Sequence, residues 1–172
     1  MSQKAVKPKV HELAQQKLNG EVFENFTQFL DFLKQEKVNT PWKSTNGYYM
    51  KYKSCHVGSI SISEGENRFS IGLYVSQWNA MNKSGEFAKQ IAKNGLKEFV
   101  CNNLQKCTCT TRDTCIRVNT IKNVFDEEVT NICGSSGHFH VSINTPKEQE
   151  INDIKKLIIM IKSVIEEEKI KW

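Results

Sequence analysis

The chain has 172 residues, 38% of them hydrophobic, and carries 24 lysines and arginines against 19 aspartates and glutamates, for a formal net charge of +5. That length and apolar content build one core without help from disulfides, and the mild positive charge falls short of the density of a dedicated nucleic-acid binder. The longest apolar run, Leu157 to Ile161, is far below the roughly 20 residues that span a bilayer, so no membrane partner is expected.

Residues 1 to 20 are polar, rich in Lys and Gln, interrupted by Pro8, and lack the apolar stretch of a secretory signal. They read as a mobile lead-in or a poorly packed first helix contributing few core residues, and the expected compartment is cytoplasmic and reducing. Residues 21–172 read as a single α+β domain. From Glu21, Val22, Phe26, Phe29, Leu30 and Leu33 recur every three or four residues, which predicts an amphipathic helix ending near Glu36. Pro41 stops the chain from continuing it, and Trp42 opens the next element.

Three strands are predicted at Gly47 to Lys53, Val57 to Ser63 and Arg68 to Val75, joined by short hairpin connections. In the first, Tyr48, Met50 and Tyr52 share one face while Tyr49 and Lys51 take the other. The aromatics gathered in and beside these strands, Trp42, Tyr48, Tyr49, Tyr52, Phe69, Tyr74 and Trp78, read first as core and second as the wall of a site for a planar ligand. A second helix is expected from Ser84 to about Asn103, with Gly95 tolerated in its middle at a cost of about 1 kcal/mol. Strand-prone pieces follow at Cys115 to Ile121, Asn123 to Val129 and His138 to Ile143. The final helix is predicted from an N-cap at Thr145, proline at the first helical position and Glu148 completing a capping box. Its apolar stripe is Ile151, Ile154, Leu157, Ile158, Ile161 and Ile165. The resulting fold class is α+β, a mostly antiparallel sheet with helices packed on one face.

Between the second helix and the last strand, residues 106–137 form a cysteine-rich loop. Cys107, Cys109, Cys115 and Cys133 follow the pattern C-x-C-x5-C-x17-C. Thiolates gathered in a chain without secretory features point to metal or redox chemistry before disulfides. Cys107 and Cys109, two apart, present both sulfurs to one face if the backbone there is extended, as a chelating pair requires. All four around one Zn2+ would make a closed, structural site, because a catalytic zinc keeps an open position. The loop holds few bulky apolar residues, so a metal would supply the ordering that packing cannot. Reduced thiols with local packing, a reversible disulfide such as Cys109 to Cys115, and a catalytic or redox thiol follow zinc in that order. His138 and His140 are candidate replacement ligands, with exposed strand histidines the blander reading.

Cys55 and His56 are adjacent and face opposite ways on a strand, which argues against a thiolate–imidazole pair, and Cys101 reads as a small buried hydrophobe. Gly134 to Gly137 reads as a simple connection. Basic residues between Lys89 and Lys122 read first as a solvated face and second as a weak nucleic-acid surface. No Gly-rich phosphate loop, nucleophile elbow or metalloprotease helix motif is present.

Taken together, Trp42 to Asn46, Tyr48 to Lys53, the cysteine cluster and the closing Ile143-Asn144-Thr145-Pro146 before an Ile-rich helix resemble a set of small bacterial α+β proteins. In that set a tryptophan-led antiparallel sheet precedes a helix, a cysteine-rich loop and a C-terminal helix. The resemblance implies the fold and no activity. The expectation is therefore a non-enzymatic protein with a structural zinc site and a small-ligand or protein-binding role. A small thiol-dependent enzyme or redox sensor is the alternative from another class, and weak nucleic-acid binding is the third.

Overall fold

The period-two alternation of the central strands determines the architecture, because it gives the sheet one face that must be covered. The computed structural model describes residues 7–75, 86–104, 118–124, 127–133 and 139–167. Two helices, α1 (Val10–Lys17) and α2 (Gly20–Gln35), lead into five strands, β1 (Val38–Asn39), β2 (Trp42–Ser44), β3 (Gly47–Tyr52), β4 (Cys55–Ile62) and β5 (Phe69–Val75). Two short helices follow, α3 (Glu86–Lys93) and α4 (Lys97–Asn103), then β6 (Val118–Val124), β7 (Glu127–Cys133), β8 (Phe139–Asn144) and the long α5 (Glu148–Glu167).

Strands β1, β3, β4, β5 and β8 form one sheet in that order, with β2 beside β1 along the edge of β3. Every pairing is antiparallel. The expected α+β class and its antiparallel sheet are thus observed. Strands β6 and β7 pair separately as a two-stranded ribbon. Register aligns Ile60, Ile71 and Ile143 in one row and Gly58, Leu73 and Val141 in the next, and the bulky members of both rows are buried. Helix α5 covers them with Ile151, Ile154, Leu157, Ile158, Ile161, Val164 and Ile165, all buried, which is the stripe its spacing predicts. Phe26, Phe29 and Leu33 of α2 complete the core, and Phe26 meets Phe69 edge to face at 4.7 Å.

Three expectations are corrected. The first concerns the lead-in: residues 10–17 form a helix whose Val10, Leu13 and Ala14, followed by Leu18, are buried in the core. Their spacing of three, one and four residues is one helical face, short enough to be hidden in a polar composition. The Tyr48 hydroxyl donates to the Pro8 carbonyl at 2.9 Å and anchors the entry to this helix. Residues 1–6, the rest of that lead-in, lie outside the described residues.

The second correction is at Gly95, where the predicted single helix breaks into α3 and α4. Gly95 adopts φ +70°, its N–H donates to the Ala92 carbonyl, and the Leu96 N–H donates to the Ile91 carbonyl, both at 3.0 Å. This is a Schellman ending with glycine at the left-handed position, and its usual apolar contact is made by the two buried residues Ile91 and Leu96. The third is the start of α5. The Thr145 N–H donates to the Phe69 carbonyl at 2.6 Å, extending the β5–β8 pairing, and Thr145 turns out of the strand with φ 45°. Capping passes to Lys147, whose N–H donates to the Glu150 carboxylate at 2.8 Å while its carbonyl accepts from Ile151 at 2.9 Å.

Polar ties close the far end. Lys162, only 13% exposed, pairs with Glu36 at the end of α2, and its ammonium lies 4.8 Å from the centre of the Tyr52 ring. The Tyr52 hydroxyl donates to Glu166. That bond holds the Glu166 carboxyl below its ordinary range against the opposing effect of burial, with lesser help from Lys53, Lys162 and Lys37.

Gly58 is where the sheet tolerates no side chain. A Cβ there would collide with the Gly72 carbonyl and the Met50 methyl, whereas a Cβ at Gly72 would meet only the Ser59 hydroxyl, at 3.5 Å. Gly58→Ala is expected to cost about 1–3 kcal/mol, the usual range for overpacking, while Gly72→Ala should stay within about 0.5 kcal/mol of the parent. Urea denaturation of the two variants measures the difference; equal stabilities would contradict the close approach of β4 and β5.

Candidate functional site

The cysteine cluster is represented in the structure by its last member. Cys133 ends β7 and is the register partner of Val118, the first residue of β6. Cys107, Cys109 and Cys115, together with His138 and the Gly134 to Gly137 connection, lie outside the described residues. His140 lies on β8 as the register partner of Tyr74. Among the described residues no group of three or more His, Cys, Asp or Glu side chains is arranged to hold a metal ion. The backbone does bring together the two ends of the cysteine-rich segment. Leu104, just after α4, forms an antiparallel bridge with Val141 of β8, so the chain departs and returns at one edge of the main sheet.

The remaining sequence candidates separate as their alternation requires. Cys55 is buried at 1% exposure and His56 beside it is exposed, so the two do not form a catalytic pair on this strand. Cys101 on α4 is partly buried against the core. Tyr48, Met50 and Tyr52 are core residues, and this side of β3 is occupied by packing and not by a ligand cleft. Lys89 and Lys93 of the basic stretch are exposed on α3.

Two arrangements were not read from sequence. One is a groove of about 400 Å³ between α1, α2 and β1. Val10, Leu30, Leu33 and Val38 give it an apolar wall, and His11, Asp31, Lys34 and Lys37 put charge at its mouth. Such a mixture suits a small amphiphile. No motif announces it, because its residues come from three elements whose approach depends on the packing of α1.

The other lies on the face of the sheet opposite the helices. A bulge sets Met50 opposite Gly58 but Lys51 opposite His56, leaving Val57 as the extra residue. Val57 is buried, and His56 turns outward beside Lys51. The Tyr49 and His56 rings then meet edge to face at 4.7 Å, with the ammonium groups of Lys43 and Lys51 at 5.2 and 5.7 Å from the centre of the Tyr49 ring. Beyond them the outward register row is Ser61, Ser70 and Asn144. The six strands of this sheet contain no Asp or Glu. The sequence carried a signal for the bulge: Val57 is out of phase with Ile60 and Ile62, which alternation alone cannot reconcile with one buried face.

Desolvation, followed by Lys51 and Lys43, lowers the His56 pKa from its ordinary value. A histidine whose folded pKa is depressed binds fewer protons than in the unfolded chain, so its contribution reduces stability as pH falls through that range. Lys51→Gln is expected to move the His56 titration upward without restoring it fully, since burial is the larger cause. Titration of the His56 ring protons by NMR reads this, and an unchanged or lower midpoint would contradict the lysine contact. No family model, curated protein or solved structure matches the chain.

Proposed function

We propose that this chain is a non-enzymatic binding protein of a reducing compartment, whose cysteine-rich excursion is stapled by a structural Zn2+ on Cys107, Cys109, Cys115 and Cys133. The observation that carries the reading is the doubly closed base of that excursion, Leu104 against Val141 and Val118 against Cys133. Chain length does the rest. Three residues reach about 10 Å at most, so connectivity limits Cys107 to that distance from Leu104 and Cys115 to that distance from Val118, itself opposite Cys133. Each closure shortens the free chain over which its own thiolates must be gathered, which lowers the entropy cost of bringing them to an ion.

Between Lys106 and Gly137 the sequence offers few bulky apolar side chains, while a structural zinc contributes up to roughly 10–16 kcal/mol of apparent binding free energy in small peptides. A fraction of that orders a loop that burial cannot. The binding role is supported by the groove between α1, α2 and β1, whose apolar wall and charged mouth match what a small amphiphilic ligand needs.

Protein purified under reducing conditions is expected to hold about one zinc per chain, with four thiols protected from alkylation until a chelator removes the metal. Cys133→Ser should release the metal and lower the melting temperature, whereas Cys55→Ser, buried in the main core, should leave the zinc content unchanged. Metal-free protein with a single fast-reacting thiolate would overturn the proposal in favour of a thiol enzyme or redox sensor.

A further inference from the structure

We propose that the open face of the main sheet, centred on Tyr49, is a binding platform for single-stranded nucleic acid. The side chains of this sheet with full or titratable charge are Lys43, Lys51, His56 and His140, with no carboxylate in any of its strands, although the chain as a whole carries 19 acidic residues. The strands of the main sheet therefore carry charge of one sign, as a polyanion requires.

The second observation is the position of the aromatics. On the helix side Tyr48 and Tyr52 are consumed by the core. On the open side Tyr49 is half-buried and His56 exposed, and both sit among the two lysines rather than under a helix. An aromatic ring flanked by two ammonium groups on an acid-free sheet is the arrangement that stacks a base and neutralises its phosphates. The lysines over the Tyr49 ring do not obstruct this. An exposed cation–aromatic contact is worth about two- to fivefold in an equilibrium, and a base stacked on an aromatic about five- to 150-fold. Exchange of the ammonium for a base, with the lysine moving to the phosphate, is favourable.

Duplex nucleic acid fits less well, because stacking on Tyr49 needs an unpaired base, and among the described residues no helix projects from this face to enter a groove. The small row Ser61, Ser70 and Asn144 leaves room for neighbouring nucleotides and adds donors without sequence preference. Weak, sequence-tolerant affinity is expected, in the range of about 10⁻⁴ to 10⁻⁶ M.

The experiment is fluorescence anisotropy of the intact protein with labelled oligo-dT and oligo-rU of about 12 nucleotides. Binding should be saturable at about 20 mM salt and, with two phosphates neutralised by Lys43 and Lys51, should weaken about 25-fold by about 200 mM. Tyr49→Ala is expected to lose at least about fivefold, Tyr49→Phe to retain affinity, and a Lys43→Gln, Lys51→Gln double variant to flatten the salt dependence. Chemical-shift mapping on the unmodified protein guards against a variant that misfolds. The largest shifts should fall on Tyr49, His56 and Lys51, with the His56 titration moving upward as phosphate approaches, and the helix face should be silent. Absence of binding at low salt, duplex bound as tightly as single strand, or shifts centred on α3 instead of β3 and β4 would each overturn the proposal. Zinc content does not enter these outcomes, so they are independent of the staple.

Discussion

The rows Ile60, Ile71, Ile143 and Gly58, Leu73, Val141 are the constraint from which the other elements take their places. Each buried isoleucine or leucine stabilises by about 1.5–3 kcal/mol relative to exposure, and these side chains stand on a single face because strand side chains alternate. A helix stripe as long as the sheet is wide must cover them, and α5 supplies it. The exposed ion pair Arg68–Glu66, both side chains more than half exposed, contributes at most about 1 kcal/mol. Packing therefore decides the arrangement of layers, and charge decides only how their edges are joined.

The Lys162–Glu36 pair shows that division. It ties α5 to the end of α2 where apolar packing gives way to solvent, and the Tyr52 ring lies against the lysine. A partly buried lysine without its carboxylate would be costly, so the pair favours the arrangement in which α5 lies beside the end of α2. Because the helices draw all of this apolar and ionic support to one side, the opposite face of the sheet is under little packing constraint. Its composition, lysine, tyrosine, histidine and serine without acid, is free to answer to a partner instead.

Much of this was legible in the sequence where one period dominates. The Ile-rich stripe of α5, the phenylalanines of α2 and the alternation of β5 each bury one continuous face, and each element lies where its spacing predicts. The failures share a cause, competition between a local signal and a backbone bond made elsewhere. Thr145 has the composition of a cap, but its N–H is taken by Phe69. Gly95 costs little in a helix interior on average, yet at this position Ile91 and Leu96 reward a left-handed ending with buried contact. The first helix was obscured because four apolar residues in a polar stretch carry a face only once a tertiary surface exists to receive it.

Candidate sites were legible in kind and not in assembly. A cluster of cysteines announces its chemistry through residue type, whereas convergence depends on which strands pair, and the Val118–Cys133 register has no counterpart in the spacing C-x-C-x5-C-x17-C. The Tyr49 platform illustrates the same limit more sharply. That Tyr49 and Lys51 face away from Tyr48 and Tyr52 follows from alternation, but bringing His56 beside them requires one extra residue at Val57. Without that bulge Lys51 would face Val57, and His56 would stand opposite Tyr52 on the core side, where a titratable ring would need a partner. One inserted residue thus converts an uninterpretable strand pattern into a buried valine and an outward histidine, and it moves the chemistry of the sheet onto the face that the helices leave open.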